Sequence, residues 1–246
     1  MTLIIGMYYN NKKGALIASD SRVLEGFNII PSTQKLFKIQ NSIFAFTGTL
    51  YLRDELIEEL EKLGDGSARE KVQEVYLEKR EKYLSGDNPK LKKKDFSCET
   101  MLSFYKDGII HLINVNNFGV MEPFYKGFSA IGQNDYANII LNEIYQERIT
   151  KQQAINSSIY CIAETAKING GVDNDIQLAL IEKNECKILN LDKKGKFNFQ
   201  KPEFEEIKKK LEGIYSLHTD ILRDLLNGRE EDKSKLEKLL KEINSQ

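Results

Sequence analysis

Paired apolar runs alternate with paired helical stretches along this chain, and this order limits its fold more than any other feature. The first two apolar runs cover residues 3–9 and 15–18, and the next two cover 35–39 and 42–46. Each pair is joined by a short cluster of turn-forming residues. Short apolar runs bounded by turns are typical of buried strands. The first fifty residues are therefore predicted to form an antiparallel meander.

Helical spacing of apolar residues follows this meander. Leucine and isoleucine recur every three or four positions over residues 52–63, and Gly64 is a plausible stop. A second helix is predicted over 67–84, and two more over 135–148 and 151–168.

Further strands are predicted between and after the helix pairs, over residues 100–105, 109–115, 120–125, 176–181 and 186–189. The order of elements is thus strands, two helices, strands, two helices, strands. Helix pairs that are segregated from antiparallel hairpins indicate an α+β domain, in which stacked sheets lie between helical layers.

The pattern of apolar and charged residues changes near Pro202. Two charged, amphipathic helices are predicted over 204–227 and 230–243. We therefore expect one domain over residues 2–200 and a helical hairpin over 201–246. The hairpin either packs on the domain surface or serves as an arm for a partner or for oligomerisation.

Composition excludes several classes of function. The 36 Lys and Arg residues nearly balance the 37 Asp and Glu residues, so no global field points to nucleic acid or to an anionic membrane. The apolar run at the amino terminus lacks a basic leader, and no segment approaches membrane length. We expect a soluble, cytoplasmic protein.

Cysteine and histidine form no recognisable motif. Cys98, Cys161 and Cys186 are widely spaced and contain no CxxC pair, which favours buried thiols over disulfides or a metal site. His111 and His218 are isolated, so neither a metal centre nor a Ser-His-Asp triad is indicated. No metal or organic cofactor is expected.

Thr2 is a candidate nucleophile because of its position. Removal of Met1 would leave a residue with both a β-hydroxyl and a free α-amino group. The α-amino group has a reference pKa near 8 and can act as the base that activates the hydroxyl. Taken alone, a threonine at position 2 is a weak signal that favours an ordinary first residue, but Thr2 begins a buried-looking strand, which strengthens the case for a nucleophile.

Three charged residues interrupt the apolar strands that follow. Asp20 and Arg22 lie at the far end of the second strand, and Lys35 opens the third. A lysine near a threonine hydroxyl favours its alkoxide, and an aspartate can hold that lysine charged and oriented. The pattern alone is equally consistent with surface charges at strand ends.

Four ordered motifs in the first fifty residues resemble the opening of proteasome β subunits and of the peptidase subunit of the bacterial two-component heat-shock protease. They are the segments 2–6, 18–22, 34–39 and 45–48. The resemblance continues more faintly through 130–132 and through Gly170-Gly171.

This resemblance implies a four-layer αββα fold of the N-terminal-nucleophile (Ntn) hydrolase type, with Thr2 as nucleophile. It implies that Lys35 and Asp20 give electrostatic support and that the Gly48 backbone N–H donates to the oxyanion. Further supporting or substrate-binding positions implied by the matching segments are Arg22, Gly132, Gln133, Asn169 and Gly170.

The sequence departs from the family pattern where a proton relay to the amino group is expected. Gln133 and Asn169 stand where the family usually has serines, and no acid lies three residues before Asn169. Asp173 or Asp175 is a candidate substitute through a shifted loop.

Three functions follow from this interpretation. The first is a threonine-type peptidase or amide hydrolase that forms an acyl-enzyme on Thr2. The second is a peptide ligase like the archaeal connectases, or a small-amide acyl transferase, with the same nucleophile. The third is a non-catalytic, proteasome-like scaffold subunit. By analogy with the family, a homo-oligomer, such as a ring, and a polypeptide or amide substrate are expected.

Overall fold

A computed structural model describes residues 2–25, 28–30, 33–62, 68–85, 98–116, 118–173, 175–183, 185–189 and 209. The chain divides into two compact units, Met1–Lys201 and Pro202–Gln246. The predicted hairpin over 201–246 lies outside the described residues, apart from position 209.

The first sheet contains five antiparallel strands in the order β10-β1-β2-β11-β12. Every residue of β1 and β2 is buried, as their apolar composition predicts. The strands are β1 (Leu3–Tyr9), β2 (Gly14–Asp20), β10 (Phe128–Gly132), β11 (Ile176–Glu182) and β12 (Glu185–Ile188).

The second sheet also contains five antiparallel strands, in the order β5-β6-β7-β8-β9. A separate two-stranded pair joins β3 (Val23–Glu25) to β4 (Asn28–Ile30). The strands of the second sheet are β5 (Leu36–Ile39), β6 (Ser42–Gly48), β7 (Cys98–Lys106), β8 (Ile109–Val115) and β9 (Met121–Pro123).

Within the described residues, the outer layers are formed by the helices α1 (Leu50–Glu61), α2 (Ala68–Leu84), α3 (Asp135–Ile144) and α4 (Lys151–Ile168). Helix α4 packs on β1 and β2, and α1 lies against β6. A capping box between Thr150 and Gln153 fixes the start of α4, since each side chain accepts from the other's backbone N–H. None of the helices in the described part of the chain is long and apolar enough to cross a membrane.

Hydrophobic cores hold these layers together, and two of them lie wholly within the described residues. One lies between the sheets and joins Ile4 and Ile17 of the first to Ile43 and Met101 of the second. The other lies between the second sheet and α1–α2, where Leu52, Leu56 and Tyr76 contact the outer faces of its strands. Helix, sheet, sheet and helix therefore follow one another, which confirms the predicted αββα architecture.

Strand β10 and the β3–β4 pair were not predicted. The segment Phe128–Gly132 is only five residues long and contains a serine and a glycine, so it gives a weak strand pattern. It becomes a strand because β1 offers it a partner, with Leu3 opposite Gly132. The helix predicted over 135–148 ends at Ile144, and the strand predicted over 120–125 is limited to Met121–Pro123.

Candidate active site

Thr2 lies immediately before β1 and is 5% exposed. Because β1 is fully buried and pairs with β10 on one side and β2 on the other, the backbone that follows Thr2 is fixed inside the first sheet. The position is thus part of the folded core.

Asp20 ends β2 beside this terminus and is completely buried. Its Oδ1 accepts from the Leu3 backbone N–H at 2.8 Å and from Lys35 Nζ at 2.9 Å, and its Oδ2 accepts from the Arg22 backbone N–H at 3.1 Å. Burial raises the pKa of Asp20 to about 6, while Lys35 and the Leu3 N–H act to lower it. Asp20 therefore joins β1 to the lysine.

Lys35 precedes β5, and only 2% of its side chain is exposed. Its ammonium donates to Asp20 and to the Arg22 carbonyl. Burial lowers the pKa of Lys35, and the facing Asp20 carboxylate acts in the opposite direction. A buried ion pair of this kind is stable only because both partners are hydrogen-bonded.

Gln177, on β11, holds the backbone at Lys35, and sequence reasoning missed it. Its Oε1 accepts from the backbone N–H groups of Lys35 and Leu36 at 2.8 and 3.1 Å, and its Nε2 donates to the Thr33 carbonyl at 2.5 Å. The signal available in the sequence was a polar glutamine within the apolar run 176–181, and the structure shows this glutamine fully buried and hydrogen-bonded.

A narrow cleft brings Thr2, Lys35 and Gly48 together. Gly48 ends β6 with φ +108°, a conformation that favours glycine over any residue with a Cβ. The other lining residues are Phe46, Thr47, Leu50 and Arg53. The predicted nucleophile, lysine and oxyanion donor thus line one cleft.

Gly132 and Gln133 hold the carbonyl of Thr2 from the opposite side. The Gln133 backbone N–H donates to the Thr2 oxygen at 2.8 Å. A Cβ on Gly132, where φ is +81°, would lie 2.0 Å from the same oxygen, so only glycine fits. Glu99, which the sequence did not single out, accepts from the Gly132 N–H at 3.2 Å and fixes this turn.

The side-chain amide of Asn169 connects to this turn, and the neighbouring Gly170 connects to Arg22. Asn169 Nδ2 donates to Gln133 Oε1 at 2.6 Å, and its Oδ1 accepts from the Gly171 N–H at 2.9 Å. Arg22 Nη1 donates to the Gly170 carbonyl at 2.7 Å. All nine predicted site residues therefore belong to one network or line its cleft.

Asp173 lies next to Asp20 in the same network. Its carboxylate accepts from the Ser21 backbone N–H at 3.0 Å and from the Ser21 hydroxyl at 3.2 Å. Arg22 Nε lies 3.8 Å from the Asp173 carboxylate, and the Asp175 N–H donates to it at 3.2 Å. Of the two acids offered by the sequence, Asp173 contacts the segment that carries Arg22.

The cysteine thiols are poorly suited to nucleophilic chemistry. Cys98, Cys161 and Cys186 are buried, and burial raises the pKa of Cys98 and of Cys161 to about 12. His111 stacks on Phe104 with ring centroids 4.9 Å apart, whereas His218 lies outside the described residues. No group of three metal-ligating side chains occurs among the residues that the structure describes.

The cleft is suited chemically to acyl transfer. It places a hydroxyl-bearing residue beside a buried cation and beside a glycine at the end of a strand. A fixed cation and backbone N–H groups are the elements that stabilise a developing oxyanion.

Comparison with known families decides the membership of the chain. The model of the proteasome subunit family matches residues 2–181, which include every site residue described above. The chain belongs to the proteasome subunit family. Its fold is correspondingly proteasome-like and of the Ntn type.

Solved structures of Anbu proteins share this proteasome-family fold. Anbu, an ancestral β subunit, from Yersinia bercovieri is 18% identical, with a TM-score of 0.72 over 88% of this chain and 97% of that one. A Gly-1 mutant of Anbu from Hyphomicrobium sp. strain MC1 is 17% identical, with a TM-score of 0.71 over 94% and 99%.

A third structure, a helical assembly of the Anbu complex from Pseudomonas aeruginosa, is 19% identical, with a TM-score of 0.71 over 90% of this chain and 96% of that one. At these identities the likeness concerns the fold. A search of curated proteins found no match.

Proposed function

We propose that this proteasome-family chain is a threonine-type amide hydrolase that cleaves polypeptides with Thr2, once Met1 has been removed. The observation that carries the proposal is the buried Lys35–Asp20 pair, whose lysine lines the same cleft as Thr2 and Gly48. A buried ion pair costs desolvation free energy, and a packed apolar pair would be as stable in its place. Because Lys35 lines the same cleft as the Thr2 hydroxyl, we infer that the pair serves to stabilise the alkoxide of Thr2.

In the proposed reaction, the free α-amino group of Thr2 takes the proton of its own hydroxyl as Oγ attacks the substrate carbonyl. The charge of Lys35 stabilises the alkoxide, and the Gly48 N–H donates to the oxyanion. The C–N bond breaks, the leaving amine takes the proton, and an ester remains on Thr2. Water, activated by the α-amino group, then hydrolyses the ester and restores the hydroxyl.

Intact mass measurement tests this proposal. The purified chain is treated with a peptide epoxyketone, which reacts with an amino-terminal threonine, and Thr2→Ala serves as the control. We expect loss of Met1 and one adduct in the wild-type chain, and no adduct in the variant. Retention of Met1, or an unreactive free Thr2, would leave the scaffold interpretation in its place.

A reactive Thr2 would then be assayed with a peptide amide, with and without an added amine acceptor. Release of the acid in water supports hydrolysis. Exclusive formation of a new amide with the acceptor would instead indicate a ligase, because the same ester serves both reactions.

We also propose that the chain forms a homo-oligomer, by analogy with the Anbu complexes. Light scattering coupled to size exclusion tests this proposal, which a single monomeric species would contradict.

A further inference from the structure

The ion pair of Lys35 and Asp20 connects the two sheets, and Gln177 lies beside it. Asp20 ends β2 of the first sheet, whereas Lys35 lies immediately before β5, the edge strand of the second. Gln177 is on β11, next to the position that pairs with Asp20. The lysine side chain leaves one sheet to reach the other, so the position of its charge depends on where its backbone is held.

Gln177 occupies a position in the apolar layer between the sheets. Side chains alternate along a strand, and Ala179 and Ile181, two and four positions further along β11, belong to the core between the sheets. Gln177 shares their face and is fully buried. An apolar side chain would fill this position without a cost of desolvation, so a glutamine here indicates buried polar groups that require an amide.

Those polar groups belong to the backbone around Lys35. Gln177 Oε1 accepts from the N–H groups of both Lys35 and Leu36, and Nε2 donates to the Thr33 carbonyl. Successive N–H groups of a regular strand point to opposite sides, so two that meet one oxygen mark a turn of the backbone. On the other side, the Phe46 N–H of β6 donates to the Lys35 carbonyl at 3.3 Å. Gln177 thus takes the place of a strand partner for this turn.

Lys35 is consequently fixed at both ends of its side chain. Its ammonium donates to Asp20 and to the Arg22 carbonyl, while its backbone N–H donates to Gln177. A lysine side chain is flexible, so an ammonium that is held at the tip alone could move away from Thr2 together with its carboxylate partner. Fixed groups stabilise a developing charge without reorganisation, and a displacement of about 1 Å can cost about a hundredfold in rate.

We propose that Gln177 is a positioning residue for the reaction of Thr2 and that it acts through the backbone of Lys35. The inference rests on the proposed function, because it concerns the reactivity of the same threonine. Gln177 is not among the described residues that line the cleft. Its carboxamide holds the lysine so that the ammonium lies where the alkoxide of Thr2 forms.

Two substitutions of similar size test this role. Gln177→Met keeps the length of the side chain but removes all three of its hydrogen bonds. Gln177→Glu keeps an oxygen that accepts from the N–H groups of Lys35 and Leu36, so it serves as the conservative variant.

Tyr8→Phe is the matched control. The buried Tyr8 hydroxyl also accepts from a backbone N–H of the opposite sheet, that of Leu112, at 2.8 Å. Tyr8 lies near the far end of β1, about 20 Å from Thr2 along the strand. The control therefore removes a bond of the same kind at a distance from the site.

The rate of adduct formation on Thr2 with a peptide epoxyketone is measured over a range of probe concentrations, which separates the maximal rate from the half-saturating concentration. We expect Gln177→Met to lower the maximal rate about tenfold to a hundredfold and to leave the half-saturating concentration within about twofold, because the cleft lining is unchanged. Gln177→Glu should retain the maximal rate within about threefold. Tyr8→Phe should lower the urea midpoint of unfolding, as Gln177→Met does, but leave both kinetic values within about twofold.

A maximal rate in Gln177→Met that matches the wild type, or an equal fall in Tyr8→Phe, would overturn the inference while leaving Thr2 as nucleophile. A loss in Gln177→Glu as large as that in Gln177→Met would overturn it as well. Absence of any adduct in the wild-type chain would instead overturn the proposed function and, with it, this inference.

Hydrogen exchange in the wild-type chain decides the matter if Gln177→Met does not fold. The N–H groups of Lys35 and Leu36 should exchange slowly, because both donate to a fully buried side chain. Exchange as fast as that of Lys12, in the exposed turn between β1 and β2, would overturn the inference.

Discussion

The two sides of the Thr2 site are built from different chemical groups. On one side, a buried carboxylate and a buried ammonium, Asp20 and Lys35, contact each other and the start of β1. On the other side, neutral amides of Gln133 and Asn169 connect the Thr2 carbonyl to the loop at Gly171. We call these the charged side and the amide side.

This difference predicts how each side tolerates change. Removing one member of a buried ion pair strands the other charge away from water, whereas removing a partly exposed amide leaves groups that water can solvate. On the amide side, Thr2 is held by backbone groups, so side chains there matter less than the backbone conformation does. Substitutions of side chains on the charged side should therefore cost more stability and reactivity than substitutions of side chains on the amide side.

The largest effect is expected for Lys35→Met, which leaves Asp20 buried without its cation. We expect a loss of roughly 3–5 kcal/mol in the free energy of unfolding, measured by urea denaturation. Adduct formation on Thr2 should fall by about 10²–10³-fold, the scale for one preorganised electrostatic group at a reacting centre.

The double variant Lys35→Met/Asp20→Asn separates the two losses. Because it has no buried charge, it should recover most of the stability but none of the reactivity. A double variant as reactive as the wild type would mean that the charged side has only a structural role.

Gly132→Ala tests the backbone of the amide side and should have the next largest effect. The added Cβ would lie 2.0 Å from the Thr2 oxygen and would also be strained at φ +81°. Gly108→Ala is the matched control, since φ is +82° there and nothing lies within 4 Å. We expect about 1 kcal/mol for the control, from conformational strain alone, and at least roughly 2 kcal/mol more for Gly132→Ala.

Similar losses in the two glycine variants, measured by urea denaturation, would show that the turn moves away from Thr2 without cost. In that case the amide side would tolerate a change in its backbone position as well as the loss of a side chain.

Asp20 should also give the charged side its own pH dependence. Its pKa is about 6 in the folded chain against an ordinary 3.8, so between these values the folded chain binds the proton more tightly. This contribution to stability is present below about pH 4 and is lost as the pH rises through about 6, with a slope of at most about 1.4 kcal/mol per pH unit. The lowered pKa of Lys35 has a separate effect. Its contribution to stability is present above pH 10.5 and is lost as the pH falls below that value.

The measurement is the difference in unfolding free energy between the wild-type chain and Lys35→Met/Asp20→Asn from pH 4 to 7. The double variant has neither titrating group, so other carboxylates cancel in the comparison. We expect the difference to shift against the wild type as the pH rises. A constant difference would mean that Asp20 keeps its ordinary pKa.

The charged side was easier to predict from the sequence than the contacts that support it. Asp20 and Lys35 interrupt the ends of apolar strands, and the β1–β2 register, with Ile4 opposite Ser19, brings Asp20 next to the Leu3 N–H. Such neighbours follow from hairpin geometry, which is local. The order of strands and helices likewise predicted the four layers.

Contacts between segments far apart in the chain could not be predicted in this way. Gln177 holds Lys35 across 142 positions because β11 inserts beside β2, and no local pattern indicates that pairing. Glu99 and Arg53 are ordinary charged residues in the sequence and reach the site through β7 and α1. Gln133 and Asn169 could be placed at the site, but their mutual hydrogen bond depends on loop positions.

The smallest effect is expected for Gln133→Ala. Its backbone N–H, which the substitution keeps, holds the Thr2 carbonyl, whereas the side-chain bond to Asn169 is lost. We expect about 1 kcal/mol of stability and less than about tenfold in the rate of adduct formation on Thr2. Gln152→Ala is the matched control, because it removes a side-chain amide bond of 2.9 Å to Asn156 on the exposed face of α4. A loss near a hundredfold in Gln133→Ala, with stability matching the control, would place this amide in the proton transfer and end the distinction between the two sides.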